Sequence, residues 1–293
     1  MPAVFVLIWS TGFVVARYGM PYAPPLTFLT WRYVLSVLAL CLWLAASGAL
    51  WRRGTWPRST QWGHLAVAGL LMHAGYLGGV WIAVRAGISA GMVALIVGLQ
   101  PVLTALWLSA RATRGAQRIE LRQWTGLLLG LMGLLLVVWR KLGVGEVTPA
   151  NLAFSLAALA SITAGTLYQK RYVAPCDVRS ANAVQLLAAL AVTAPLALWF
   201  ESAEPITLHP ELIGAMAWSV LVLTLGGSSL LYLLIQRGAA TQVASLMYLV
   251  PPSTALLAWW LFGEVLGPLV LGGFALSAFG VWLVAARRSA GPQ

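Results

Sequence analysis

Few side chains in this sequence could carry covalent or acid-base chemistry. Asp177 is the sole aspartate, and Asp and Glu together total 7 against 18 Lys and Arg. No acid falls in the middle of an apolar run, none are paired as general acid and base, and there is no metal-ligand cluster, nucleophile elbow or P-loop. Membrane enzymes that handle diphosphates hold Mg²⁺ through several carboxylates, and none is available at mid-span, so an enzyme is disfavoured and no metal or other cofactor is expected. Proton-driven carriers generally use a buried Asp, Glu or His that changes charge, and His73 is the one such group near the centre of an apolar segment.

What remains is hydrogen-bonding and aromatic chemistry set in apolar sequence. Tyr76 follows His73 by three residues, so a helix puts both on one face. That face either lines a substrate cavity or lets His73 bond a neighbouring helix. Thr224, Ser228, Tyr232 and Gln236 recur at every fourth residue, a polar ladder that either borders a cavity or packs on another helix, since unpaired polar groups facing lipid are costly. Gln100 precedes Pro101, and Tyr248 precedes Pro251 and Pro252. Each proline frees a backbone carbonyl, which makes Pro101 and Pro251 either gating points or permanent bends. Trp9, Ser10 and Thr11 break the apolarity of the first run as a cavity wall would, and Trp81 is a further wall residue. The substrate-binding set is therefore Trp9, Ser10, His73, Tyr76, Gln100, Ser228, Tyr232 and Tyr248. Arg32 lies about two turns into the second run, close enough to its end to snorkel outward, so a folding role is expected ahead of a carboxylate clamp.

The elements that hold these residues are membrane-spanning helices. Of the 293 residues, 60% are hydrophobic and 9% charged, with a mean hydropathy of +0.86, which excludes an ordinary soluble domain. Apolar runs fall at about 2–20, 25–47, 62–84, 89–110, 121–140, 150–169, 180–200, 211–236, 241–262 and 268–286, each near the roughly 20 residues a spanning helix needs. The expected class is an all-α integral membrane protein with ten transmembrane helices. Its net charge of +11 would suggest nucleic acid in a soluble protein. Here the basic residues sit between apolar runs, so the partners expected are the lipid bilayer and a small-molecule substrate, with no nucleic acid. Cys41 and Cys176 lie in unlike environments and read as free thiols. Most of the Trp residues sit near span ends as interface anchors.

Charge sets the orientation. With a cytoplasmic N-terminus the inner loops and C-terminal tail carry thirteen basic residues, among them Arg52, Arg58, Arg111, Lys170, Arg171 and Arg179, while the acidic loop with Glu201, Glu204 and Glu211 falls outside. Both termini are therefore expected in the cytoplasm. The two halves also repeat. Residues 71–85 (LMHAGYLGGVWIAVR) align with 223–237 (LTLGGSSLLYLLIQR), superposing Gly75 on Gly227 and Arg85 on Arg237, and each copy is followed by a helix with a mid-span proline. Five helices per copy force the second copy upside down, so residues 1–142 and 143–293 form two inverted five-helix repeats within one membrane domain, with a substrate site near the midplane between them. Gly126, Gly130, Gly133, Gly273 and Gly280 mark the fifth and tenth helices as close-packing scaffold, with a homodimer seam as a further use.

The segments PPLTFLTWRYVLSVLAL at 24–40, YLVPPSTALLAWWLFGEVLG at 248–267 and GGFALSAFGVWLV at 272–284, with the two mid-span prolines in order, resemble the EamA branch of the drug/metabolite transporter superfamily across nearly the whole chain. The Gly-Glu turn of that pattern is intact as Gly263 and Glu264, but its counterpart in the first half is displaced to Glu120. The resemblance implies two inverted five-helix repeats around a central cavity and a secondary transporter of the bacterial inner membrane. Joined to the proposed wall, it implies export of a small amphipathic metabolite, amino acids first and aromatic ones foremost, by alternating access. The path is expected between the first, third, fourth, sixth, eighth and ninth helices. A weakly polar wall argues against nucleotide sugars and phosphates, which need a basic site. A membrane-embedded enzyme or a structural subunit is the reading of another class.

Overall fold

Apolar sequence with few turn signals makes long helices, and helices are all that the described residues contain. A computed structural model describes residues 2–52, 54–110, 121–143, 145–230 and 250–285. Its helices are α1 (Pro2–Gly19), α2 (Pro25–Ala46), α3 (Ser59–Arg85), α4 (Ala90–Val97), α5 (Gln100–Ala110), α6 (Leu121–Gly143), α7 (Pro149–Tyr172), α8 (Val178–Phe200), α9 (Pro210–Ser228), α10 (Val250–Phe262) and α11 (Pro268–Ala285). Five of them, α2, α3, α7, α8 and α9, are at least 19 residues long with mean hydropathies of 1.4 to 1.9, enough to cross a bilayer, and shorter apolar helices accompany them.

The burial pattern is that of a protein dissolved in lipid. On α2 the residues Leu35, Leu38 and Leu42 are exposed while Arg32, Ser36 and Leu40 are buried at a spacing of four. On α6 it is Leu128, Leu131, Met132 and Leu135 that face outward. A helix in water would turn its leucines in; a helix in hydrocarbon gains nothing by doing so, and buries its polar groups instead.

Connections collect at two ends of the bundle, and charge separates the ends. At one end Thr207 donates to the Tyr22 carbonyl (2.8 Å), Arg85 pairs with Glu204 (3.0 Å) and donates to the Met20 carbonyl, and Tyr22 donates to Glu211 (2.7 Å) while stacking on His209. Glu201 at the C-terminus of α8 reaches across to accept from the Leu26 and Thr27 amides (2.9 and 2.7 Å) and the Thr27 hydroxyl (2.8 Å). Those amides are the orphan donors of α2, whose N-cap residue Pro24 has no side chain to offer. At the same end Thr148 and Asn151 form a capping box that starts α7, and the Asn151 amide also ties down the Ala86 and Glu146 carbonyls (3.2 and 3.1 Å). The other end is basic. There Asp177 caps α8 and holds Arg179 (2.8 Å), which donates to Ser47 (2.7 Å), while Ser180 donates to the Thr55 carbonyl (2.6 Å).

Three helices of the first half lie along their counterparts in the second, α2 along α8, α4 along α10, and α6 along α11. The reciprocal contacts α3 with α7 and α1 with α9 flank the centre. The α6–α11 contact is the glycine seam foreseen in the sequence, with the Ser277 hydroxyl donating to the Gly130 carbonyl at 3.0 Å and no room for a Cβ at Gly133, Gly273 or Gly280. These glycines thus pack against one another within the chain.

Two stretches depart from α geometry. Leu70–Gly75 in α3 and Trp218–Ser228 in α9 are wound as π-helix, and they overlap when Gly75 is superposed on Gly227. The wider turn releases carbonyls from the i−4 pattern, and hydroxyls take some of them up: Thr224 donates to Ser219 (3.0 Å), Ser228 to Leu223 (3.3 Å), and Tyr33 from α2 to His73 (2.9 Å).

Candidate functional site

Between the halves lies a partly open cavity of about 840 Å³, a volume that includes solvent space at its mouth. Its described walls come from α1 (Trp9, Gly12, Phe13), α2 (Arg32), α3 (Met72, His73, Tyr76, Leu77, Val80, Trp81), α7 (Ile162, Gln169), α8 (Gln185) and α9 (Leu223, Ser228). Both π segments border it, so the wall is built where the backbone is wound most loosely.

Close helix approaches set the wall. Gly79 lies against the Phe154 carbonyl and Ala158 of α7, and Gly75 against Ser161, so α3 and α7 nearly touch backbones. Gly69 has no Cβ and the Gln185 backbone of α8 fills the space where one would stand. That approach carries the Gln185 amide to the His73 ring and, at 3.4 Å, to Gln169. On the facing side the Trp9 indole bonds the Tyr76 hydroxyl across the α1–α3 contact. Towards the acidic end Trp81, 1% exposed, stacks on Phe28 with ring centroids 4.3 Å apart, and Gly19 lets the pair close over the cavity beneath the Arg85, Glu201 and Glu204 contacts.

Arg32 is where the structure corrects the sequence. It does not snorkel: its α2 face is the buried one, it is 6% exposed, and it lines the cavity with His73, Tyr33 and Tyr76 in electrostatic range. No carboxylate or other acceptor among the described residues engages it, and its Nε is buried with no hydrogen-bond partner.

Of the residues singled out in the sequence, Trp9, His73, Tyr76, Trp81 and Ser228 come together in this wall. Ser10 does not reach it; its hydroxyl turns to the Val6 carbonyl at 2.7 Å and the Val250 carbonyl of α10 at 3.4 Å. Gln100 donates instead to Thr166 of α7 at 2.9 Å. Pro101 lies in the first turn of α5, beyond the break at Gly98 and Leu99, where a missing amide costs little, and Pro251 is packed on Gly98. Tyr232 and Tyr248 lie outside the described residues, as does Gln236. The second and seventh spanning segments join the wall through Arg32 and Gln185, whereas α4, α5 and α10 contribute no described lining residue. Gln169 and Gln185 were missed; Gln169 closes the apolar run at 150–169 and Gln185 stands about one and a half turns into the run at 180–200, each near enough to the basic loop between them to pass for its edge. Among the described residues no group of three or more His, Cys, Asp or Glu could hold a metal.

A wall of aromatic rings and aliphatic side chains, with two amides, a hydroxyl, an imidazole and one guanidinium, binds by shape and hydrogen bonding. Among its described residues no nucleophile is paired with a base.

The EamA-like transporter family model matches residues 3–139 and again residues 150–286. A probable amino-acid metabolite efflux pump of Salmonella typhimurium is 24% identical over 95% of this chain and 91% of its own. The inner membrane transporter YedA of Escherichia coli is 27% identical over 96% of this chain and 89% of its own. A transporter of Archaeoglobus fulgidus is 22% identical over 98% and 96%. One crystal structure superposes with a TM-score of 0.66 at 16% identity, covering 97% of this chain and 95% of that one, and so shares the fold.

Proposed function

As a chain that belongs to the EamA-like transporter family, this is a membrane transporter and not an enzyme, and we propose that it exports small amphipathic metabolites, amino acids above all and aromatic ones first, from the cytoplasm across the bacterial inner membrane. The observation that carries this reading is the cavity between the halves, where Trp9, Tyr76 and Trp81 offer ring faces and edges and Gln169, Gln185, His73 and Ser228 offer polar atoms. The efflux function named for the Salmonella relative points the same way. A single cation suits a carboxylate and falls short of the several that a nucleotide sugar or phosphate requires.

The mechanism proposed is alternating access about that cavity. Ten spans in two inverted five-helix repeats, residues 1–142 and 143–293, would give each conformation a mirror-related partner at little cost. The reciprocal pairings of α2 with α8, α4 with α10 and α6 with α11 support this arrangement. The basic end faces the cytoplasm, with both termini there, because Arg52, Arg58, Lys170, Arg171 and Arg179 gather at it while Glu201, Glu204 and Glu211 gather at the other. Transport is facilitated: no carboxylate lines the described wall, and His73 acts through hydrogen bonds.

Purified protein in liposomes, assayed for counterflow of labelled phenylalanine or tryptophan against a panel of other metabolites, tests the reading. Saturable exchange of an aromatic amino acid is expected, unaffected by an imposed pH gradient and substantially retained in His73→Gln. Exchange confined to substrates without an aromatic or aliphatic group would refute it.

A further inference from the structure

We propose that Arg32 is the docking group for a substrate carboxylate, and that the cavity therefore selects apolar and aromatic monocarboxylates, with the substrate's ammonium group dispensable. The inference rests on the export reading for its setting and on separate observations for its chemistry.

A guanidinium is costly to take out of water, and proteins that bury one generally pair it. Arg32 is buried on the inward face of α2, four residues before Ser36, in a segment flanked by lipid-facing leucines. Yet the carboxylates of the described chain are engaged or placed elsewhere. Glu201 caps α2, Glu204 pairs with Arg85, Glu211 accepts from Tyr22, Asp177 holds Arg179, Glu146 accepts from the Ser89 amide, and Glu264 lies in the turn between α10 and α11, outside the cavity wall. The Arg32 Nε has no partner, and the space its side chain borders is the cavity itself. What the described residues do not supply, a ligand in that cavity can: two oxygens in a plane, matched to the forked donors of a guanidinium and strengthened by the low dielectric around them.

The surroundings fix the rest of the ligand. Trp9, Phe13, Tyr76 and Trp81 stand within the same wall as Arg32, so an apolar or aromatic group on the far side of the carboxylate meets ring surfaces. No acid on the described wall waits for an ammonium; its other polar groups are the amides of Gln169 and Gln185, the Tyr76 and Ser228 hydroxyls and the His73 ring. The cation thus discriminates strongly for a carboxylate, and nothing of equal strength discriminates for an amine.

Binding of labelled phenylalanine to the purified full-length protein, with unlabelled competitors, tests this without requiring transport. On the native protein 3-phenylpropanoate, which keeps the carboxylate and lacks the ammonium, is expected to compete within about tenfold of phenylalanine, and phenylalaninamide to be weaker by more than about tenfold. Arg32→Gln should lose about tenfold or more in phenylalanine affinity and no longer tell acid from amide, while Arg32→Lys, which keeps the charge but not the fork, should retain part of that preference. Thermal unfolding of each variant reports folding, and the acid-to-amide ratio on native protein stands if a variant fails to fold. Equal competition by acid and amide, an undiminished preference in Arg32→Gln, or no binding by any carboxylate overturns the proposal. Transport of amines indifferent to carboxylates would overturn it and leave export standing; Arg32-dependent carboxylate binding without transport in liposomes would support it and sink export.

Discussion

Removing the Glu201 carboxylate should detach the start of α2 from the end of α8. Three donors converge on it, the Leu26 and Thr27 amides and the Thr27 hydroxyl at 2.9, 2.7 and 2.8 Å, and the residue is 7% exposed. In Glu201→Ala both amides lose their acceptor, and an unsatisfied buried donor costs about 1–3 kcal/mol. Loss of a negative charge at a partly buried helix N-terminus adds about 1 kcal/mol. Water reaching this end of the bundle returns some of this, so the net expected is about 3 kcal/mol. Glu201→Gln keeps one carbonyl acceptor and should lose about 1–2 kcal/mol. Unfolding by SDS in mixed micelles, followed by far-UV circular dichroism, reads these differences directly. Thr27→Val, made alone and with Glu201→Gln, supplies the cycle: the pair shares one hydrogen bond and should be non-additive by about 0.5 kcal/mol or more. If Glu201→Ala unfolds within about 0.5 kcal/mol of the native protein, the contact is incidental and the account of how α2 is capped is wrong.

Three further outcomes follow from contacts already described. Tyr76→Ala, by stripping a ring and the partner of the Trp9 indole from the wall, should lower exchange in liposomes by about tenfold while the protein still folds, and unchanged exchange would displace α3 from the site. Gly133→Ala places a Cβ within 2.6 Å of the Ser277 amide nitrogen and should destabilise by about 1–3 kcal/mol in the SDS assay, a loss absent from the open Gly78. Burial raises the Asp177 carboxyl, but its hydrogen bonds and charge contact with Arg179 outweigh that and hold it below the ordinary carboxylate value. A depressed folded value means its stabilisation is full above the unfolded pKa and fades as pH falls through the folded one. Asp177→Asn should therefore flatten the acid side of the thermal-midpoint profile by under about 1 kcal/mol, given how open the pair is, and an unchanged profile would refute the assignment.

Much of the scaffold was legible because lipid imposes simple rules: a run of apolar residues must be helical, and a Gly pattern on two such runs must pack closely. Hence Gly133, Gly273 and Gly280 marked α6 and α11 as close-packing helices, and the structure shows that they pack on each other. The wall was harder to read. His73, Tyr76 and Trp9 declared themselves because aromatic and imidazole groups stand out among leucines, whereas Ser10 and Gln100 declared themselves equally and serve packing. Which way a polar side chain points depends on the partner helix, and sequence holds no record of that. Arg32 shows the limit most plainly: its distance from the helix end permitted an outward reach, and only the folded chain shows it turned in beside His73 and Tyr76 of α3.

The π-wound turn at Leu70–Gly75 accommodates one residue more than an α-helix would over the same rise. Its consequence is a change of phase: everything after it is rotated by about 100° relative to an uninterrupted helix. So Leu65 and Gly69 in the first part of α3 meet α8, while Gly75 and Gly79 in the later part meet α7, and one rod serves two neighbours that no straight α-helix could address with the same residues. Straightening that turn while keeping every residue would swing Tyr76 and Trp81 off the wall, whereas deleting Ala74 would remove the extra residue and leave the later face of α3 in phase. The overlapping irregularity at Trp218–Ser228 puts a loosely wound stretch at the matching point of the second half, so in both halves the direction of the wall is set by winding as well as by residue type.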